Sequence, residues 1–336
     1  MTIYDIAREA GVSASTVSRV INKKAGIKES TRKRVQKLLD EYNYTPDASA
    51  RGLVTQASKF IGILIEDIRV VHHTESAYVI EQEMTRQGYT CITFSTGTDE
   101  ARKAQYIEIL EQRRVEGAIF IGSMFGTETV LKSVEQHLPN IPVVIVNGTM
   151  DLPNGYSVLI DEERGMEECV SLLAEKGLRR LAYLMDVDTP ANQKKNRGFQ
   201  TGMLRCGLDA DDCSVFVPVD GTTGPRSSIE RGRAETAELL AKKPGIEGIV
   251  CATDLLAIGC MQELKARGIS IPEQTAVIGV DNTLYGQLCT PTLTTLDNKS
   301  GEVSLAAANM LLDVLQGRPV SHKLMLLTEI IQRESI

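Results

Sequence analysis

The 336-residue chain has no apolar run approaching the ~20 residues that cross a bilayer, so a membrane protein is not expected. Its N-terminus enters a helical pattern at once. The basic-then-apolar leader of an exported protein is missing, and a cytoplasmic location follows as the expectation. Seven cysteines make an odd number with no CxxC pair. Several sit in apolar runs, such as Cys251 in GIVCATD and Cys260 in AIGCM, which suits buried reduced thiols rather than a disulfide framework. The four histidines are scattered apart from adjacent His72 and His73, so no metal site is expected. There is no GxSxG elbow, P-loop, HExxH or strand-end GxGxxG. Asp161, Asp254 and Asp281 could be imagined as acid–base groups, but a binding site needs the same residues. No catalytic residue is assigned, and neither enzyme activity nor a cofactor is expected.

What the chain does contain is a short N-terminal segment, IYDIAREAGVSASTVSRVIN, that reads as two helices about a tight turn. Thr2 can cap a first helix from about Ile3 to Ala10, with Ile3, Ile6, Ala7 and Ala10 on one face. Gly11 suits the left-handed closing position. Ser13 is placed to cap a second helix, about Ala14 to Asn22, with Val17, Val20 and Ile21 inward. Ala14, Ser15, Thr16, Ser18, Arg19 and Asn22 stay outside. A third helix runs from Glu29 or Ser30 to about Tyr42, with Val35, Leu38 and Leu39 inward. A helix-turn-helix of this shape enters the DNA major groove. The plain alternative is a surface hairpin with no ligand, and charge weighs against it. Residues 1–59 carry eleven Lys and Arg against six Asp and Glu, a net +5, while the remainder carries 26 against 38, a net −12. A basic head suits phosphate, and an acidic body stays off the duplex.

The head motifs TVSRVIN, STRKRV and YTPDASARGL strongly resemble those of the lactose-repressor (LacI/GalR) family of bacterial transcription regulators. The resemblance continues to the last strand. It implies a helix-turn-helix DNA-binding domain over 1–45, a hinge helix over 46–58 and an effector-binding, dimerising body over 59–336. It also implies that Ala14 and Ser15 decide which operator is read, and that Arg19 contacts a base; its fork suits guanine O6 and N7. Thr16, Ser18 and Asn22 would position the helix on phosphates. Leu53, beside Arg51, matches the leucine that wedges into the minor groove and bends the duplex. Asp47 stands where many relatives carry Asn.

From residue 60 short apolar strands alternate with amphipathic helices: FIGILIED, YTCITFST, GAIFIGS, PVVIVNG, YSVLID, RLAYLMD, CSVFVPVD, GIVCATD, AVIGVDN and LTTLDN are the strands. That rhythm predicts parallel sheets with helices on both faces, in two Rossmann-like subdomains across a cleft. The family shares this body with periplasmic sugar-binding proteins. Crossings are expected near 160, 290 and 320, giving an N-subdomain of 59–159 with 291–320 and a C-subdomain of 160–290 with 321–336.

In such sheets ligands sit beyond the carboxyl ends of the strands. Asn147, Asp161, Thr253, Asp254 and Asp281 fall there. By resemblance, Asp281 matches an aspartate that bonds effector hydroxyls, and Asn147 a position that often contacts effector. Thr253 stands where many sugar-responsive relatives carry Asn. Lys195 stands where the family usually has arginine, with Arg197 close enough to substitute. The segment EDIRVVHHTESAY departs most from the family and puts Arg69, His72 and His73 at the cleft mouth. An anionic effector held by Arg69 and Lys195 is one expectation; solvated loop residues are the other. The whole reads as a dimeric regulator, most often a repressor, that binds a near-palindromic operator and answers to a small molecule, a sugar or sugar derivative. A regulator taking a phosphorylated phosphocarrier as corepressor is a second reading, against which Thr290 replaces that subgroup's arginine. No heptad tail follows Ile331, which favours a dimer over a tetramer.

Overall fold

The computed structural model describes residues 2–21, 24–44, 58–185, 188–208, 215–216 and 225–336. Asn22, Arg51, Leu53 and, apart from Ser58, the expected hinge helix lie outside the described residues. The chain divides into two compact units, residues 1–58 and 59–336.

Among the described residues, the first unit holds the helices α1 (Ile3–Glu9), α2 (Ala14–Ile21) and α3 (Glu29–Glu41). Thr2 and Asp5 form a reciprocal cap: Asp5 N–H donates to Thr2 Oγ1 at 3.3 Å and Thr2 N–H to Asp5 Oδ2 at 2.9 Å. Gly11 closes α1 at φ 63°. The Gly11 and Val12 amides fold back onto the Arg8 and Ala7 carbonyls, which satisfies the last turn. Ser13 Oγ then accepts from Thr16 N–H at 3.2 Å and opens α2. Ile6, Ala7, Ala10, Val17, Val20, Val35 and Leu39 close the core. Ile3, Ile21 and Leu38 are only half-buried at its rim.

In the second unit, residues 59–336 build two sheets of six strands. The first contains β1 (Phe60–Ile65), β2 (Thr90–Ser95), β3 (Gly117–Ile121), β4 (Val143–Val146), β5 (Gly155–Ile160) and β11 (Lys323–Leu326). Its helices are α4 (Val71–Arg86), α5 (Glu100–Gln112), α6 (Glu128–His137) and α12 (Ser300–Leu315). The second contains β6 (Leu181–Leu184), β7 (Val215–Phe216), β8 (Gly248–Cys251), β9 (Ala276–Val280), β10 (Thr294–Asp297) and β12 (Glu329–Ile331). Its helices are α7 (Glu162–Glu175), α8 (Pro190–Arg205), α9 (Pro225–Lys242), α10 (Asp254–Ala266) and the short α11 (Leu284–Leu288).

The strand orders are β2-β1-β3-β4-β5-β11 and β7-β6-β8-β9-β10-β12. Every pair is parallel except β10 with β12. Each sheet reverses its winding at its second strand, and a crevice opens beyond the carboxyl edge at that point. Strands buried on both faces, such as Ile61–Ile65 and Val143–Val146, explain the unbroken apolar runs.

The first crossing follows Ile160 as expected, and the other two differ. LTTLDN is not in the first sheet: β10 pairs with β9, Thr294 opposite Ile278. The chain between β9 and β10 is taken up by α11 and a return turn, so it cannot leave the second sheet until Asp297. β11, past residue 320, still belongs to the first sheet, paired to β5. The crossings therefore follow Ile160, Asp297 and Leu326.

Candidate functional site

In the head, Ser15 and Arg19 on α2 are exposed. No described residue holds the Arg19 side chain through a hydrogen bond or ion pair, which leaves its fork available. The Ser13 hydroxyl bonds those of Ser15 (2.8 Å) and Thr16 (2.9 Å), so the first turn presents an ordered hydroxyl cluster. Thr16 and Ser18 are half-buried. Ala14, expected outside, is half-buried as well, because its methyl covers the edge of the head core.

In the body, a cavity of about 190 Å³ lies between the two sheets at their carboxyl edges. It sits below the ~300–1,000 Å³ typical of drug-sized ligands. Glu162, 1% exposed at the start of α7, is its hub. It takes Lys195 Nζ at 3.2 Å, Asn147 Nδ2 at 3.1 Å and Asn298 Nδ2 at 3.3 Å. Lys195 also donates to Asn192 Oδ1 and to the Ala252 carbonyl. Asn298 turns the same amide group to Asp281 Oδ1 at 3.0 Å. The wall thus joins both lobes and the crossing after β10.

Asp281 stands just past β9 at φ 103°, and Asn147 just past β4 at φ 54°. Two non-glycine residues held at positive φ beside one cavity mark a backbone fixed by its surroundings. His72 on α4 faces Asp281 across the cleft, Nδ1 to Oδ2 3.6 Å, too long for a hydrogen bond. Desolvation in the cleft, then the Lys195 charge, pushes His72 below its ordinary value, though its side chain is 37% exposed. Behind it, His73 is pushed down to about 3 by burial and by His72. Thr253 lines the cavity while capping α10 through the Leu256 N–H.

Of the residues expected in the cleft, His72, Asn147, Lys195, Thr253 and Asp281 line it together. Arg69, Asp161, Arg197 and Asp254 do not. Arg69 is turned onto Asp67, 2.6 Å from its carboxylate, because the two lie on one tight turn. This pair holds the Asp67 carboxyl below its ordinary value. Asp161 instead caps α7 by accepting from the Arg164 N–H. Arg197 lies two residues beyond buried Lys195, hence on the outer face of α8, 3.6 Å from Glu163. Asp254, fully buried, works behind the wall. It accepts from Thr283 N–H (2.6 Å), Thr283 Oγ1 (2.9 Å) and Thr295 Oγ1 (2.6 Å), which fixes the turn that carries Asp281. Burial, then the neighbouring Asp281, pushes it up to about 7.

Sequence reasoning missed Glu66, Glu162, Asn298 and Arg231, all on the cavity wall. Glu66 follows β1 and Asn298 follows β10, so the strand-end rule covers both. Glu162 stands one residue beyond the strand-end Asp161 and shows its role only through partners distant in sequence.

Residues 2–47 match the model of bacterial regulatory proteins of the lacI family, and residues 170–336 that of a periplasmic binding protein-like domain. An HTH-type transcriptional regulator of Lachnoclostridium phytofermentans is 30% identical over 337 residues, covering 100% of this chain and 99% of the relative. The lac repressor dimer, solved with operator and the anti-inducer ONPF, superposes with a TM-score of 0.88 at 22% identity, covering 100% of this chain and 98% of that one. The regulator CelR, solved with cellobiose, gives a TM-score of 0.72 at 22% identity, covering 100% and 99%. The two structures share the fold, and the first relative is collinear with the chain from head to last strand. With its head matched to the family model besides, the chain belongs to the lacI family of bacterial regulatory proteins.

Proposed function

We propose that the protein is a sequence-specific transcriptional regulator, a repressor, whose hold on a near-palindromic operator is set by a small sugar or sugar derivative in the interlobe cavity. The observation that carries this reading is the joining, in one chain, of a basic helix-turn-helix, whose Arg19 side chain no described residue engages, to a body whose strand ends converge on a cavity. A homodimer fits the operator symmetry. Tyr78 on α4, Leu284 and Leu288 on α11 and Met325 on β11 are exposed apolar groups that a second copy would cover. Among the described residues no helix is long and apolar enough to cross a membrane. The protein works in the cytoplasm, without enzymatic turnover or cofactor.

The anionic effector is the weaker reading. Arg69 is spent on Asp67, and Glu66, Glu162 and Asp281 outnumber Lys195 and Arg231 on the wall. Effector bridging the lobes would alter the spacing of the two hinge segments. A coupling of ~1–3 kcal/mol gives several-fold to about a hundred-fold regulation.

Selection of duplexes from a random library by the purified protein tests the reading. A near-palindrome should emerge, and Leu53→Ala should weaken binding to it far more than to bulk DNA. Enrichment of no sequence overturns the proposal.

A further inference from the structure

The two asparagines of the cavity wall are oriented by their neighbours. Asn147 directs its amide nitrogen at Glu162, and Asn298 directs its own at Glu162 and Asp281. A carboxylate only accepts, so the nitrogen must face it and the carbonyl oxygen must face away. Both oxygens, Asn147 Oδ1 and Asn298 Oδ1, are buried and accept no hydrogen bond. Asn298 is 7% exposed as a residue. A buried acceptor left unmet is costly, and a bound donor removes the cost.

Glu66 adds charge to this pattern. It stands at the carboxyl end of β1 and faces the cavity. Among the described residues nothing donates a hydrogen bond to its carboxylate. Burial raises its pKa above the ordinary value, and the cation acting on it is Lys103, itself bonded to Glu100 and the Met124 carbonyl. Lys195 is likewise committed to Glu162. Among the described residues the wall carries three carboxylates, Glu66, Glu162 and Asp281, against Lys195 and Arg231. A neutral polyol would satisfy the amide oxygens and leave the Glu66 carboxylate desolvated without a partner charge. An anion would meet repulsion. A cationic donor answers both.

We propose that the effector is an aminated polyol of monosaccharide size, its ammonium on Glu66 and its hydroxyl donors on the Asn147 and Asn298 oxygens. This deepens the sugar reading above and rests on it.

Thermal-shift titrations of the full-length protein test it. The probes are glucosamine, galactosamine and mannosamine, each with its neutral parent, its N-acetyl derivative and its parent's 6-phosphate. At least one amino sugar should raise the melting temperature and bind about tenfold or more tightly than its three counterparts. Glu66→Gln, a neutral isostere whose folding is read from its ligand-free melt, should cancel that preference. A parent sugar or phosphate that binds as well as the amine overturns the proposal, as does a preference surviving in Glu66→Gln. If the whole panel gives no shift while selected operator is still bound, the amine assignment falls and the regulatory reading stands. Loss of sequence preference on DNA would instead sink the regulatory reading.

Discussion

The head and the body meet polar ligands in opposite ways. On α2 the functional groups are exposed, short and locally bonded, and Arg19 is engaged by no described partner. In the cavity the functional groups are buried and bonded to one another across two lobes, with Glu162 and Lys195 at 1% and 5% exposure. A surface that docks on phosphate needs charge in water, where it is cheap to hold. A cleft that discriminates a small molecule needs oriented groups out of water, and each must be satisfied or left for the ligand. Mutation should therefore uncouple stability from function in the head and fuse them in the body.

The largest break in that contrast is expected at Glu162. Glu162→Ala would take the carboxylate away from the buried Lys195 ammonium, which donates also to the Asn192 and Ala252 oxygens. Removing one partner of a buried pair costs about 3–5 kcal/mol, and the urea midpoint of the body should fall accordingly. Adding Lys195→Met should restore much of it. In the head, Arg8→Ala would break the solvent-exposed pair with Asp5 and change nothing measurable. An unmoved midpoint for Glu162→Ala would mean the cavity wall is hydrated like the head.

Asp254 sharpens the same contrast through pH. Its carboxyl titrates near 3.8 when unfolded and about 7 in the body. Between those values the native state holds a proton the unfolded state lacks, so this group's contribution falls as pH rises from about 4 to about 7 and is flat above. His73 acts in the other direction. Its folded value of about 3 lies below 6.5, so stability gained from it grows as pH rises through that interval. The opposed slopes mute the wild-type profile. Subtracting the profile of Asp254→Asn should expose a fall on the order of 4 kcal/mol at most between pH 4 and 7. A flat difference would place Asp254 charged throughout.

A smaller effect, confined to function, is expected at Arg19. Arg19→Ala should cost ~1–3 kcal/mol of specific operator affinity, measured by fluorescence anisotropy, with the body's melting temperature unchanged. Equal losses on specific and bulk DNA would reassign Arg19 from a base to a phosphate contact.

The same contrast decides what could be read from the chain. Caps, turns and inward faces of the head obey local rules, so Thr2, Gly11, Ser13, Val17 and Val35 take the places their neighbours predict. The ten strands from β1 to β10 were legible as apolar runs, and strand-end position together with the family resemblance pointed to Asn147, Thr253 and Asp281, which line the cavity, as well as to Asp161 and Asp254, which do not. What failed depended on partners. Arg69 was assigned to the cleft although Asp67, two residues earlier, takes its guanidinium. Glu162 and Asn298, 136 residues apart, acquire a role only when the crossings bring them together. The first crossing, near 160, was read correctly, but the second and third were misplaced, since pairing of β10 to β9 has no signature in either strand alone.

The smallest effect expected is at Ser13, where the head's own order is at stake. Its hydroxyl accepts the Thr16 N–H and bonds the Ser15 and Thr16 hydroxyls. Ser13→Ala should cost α2 about 1 kcal/mol, the usual worth of such a cap. In a unit closed by so few buried side chains, that is a large share of the local stability. Hydrogen exchange on the full chain should show amides of residues 3–21 opening about fivefold faster, with those of both body sheets unchanged. Ser13→Asp, which restores an acceptor at the helix start, should recover the protection and still lose operator affinity, because a carboxylate there repels the phosphates that the hydroxyl cluster would approach. If Ser13→Asp kept full affinity, the first turn of α2 would not face the duplex, and Ser15 would lose its place in operator choice.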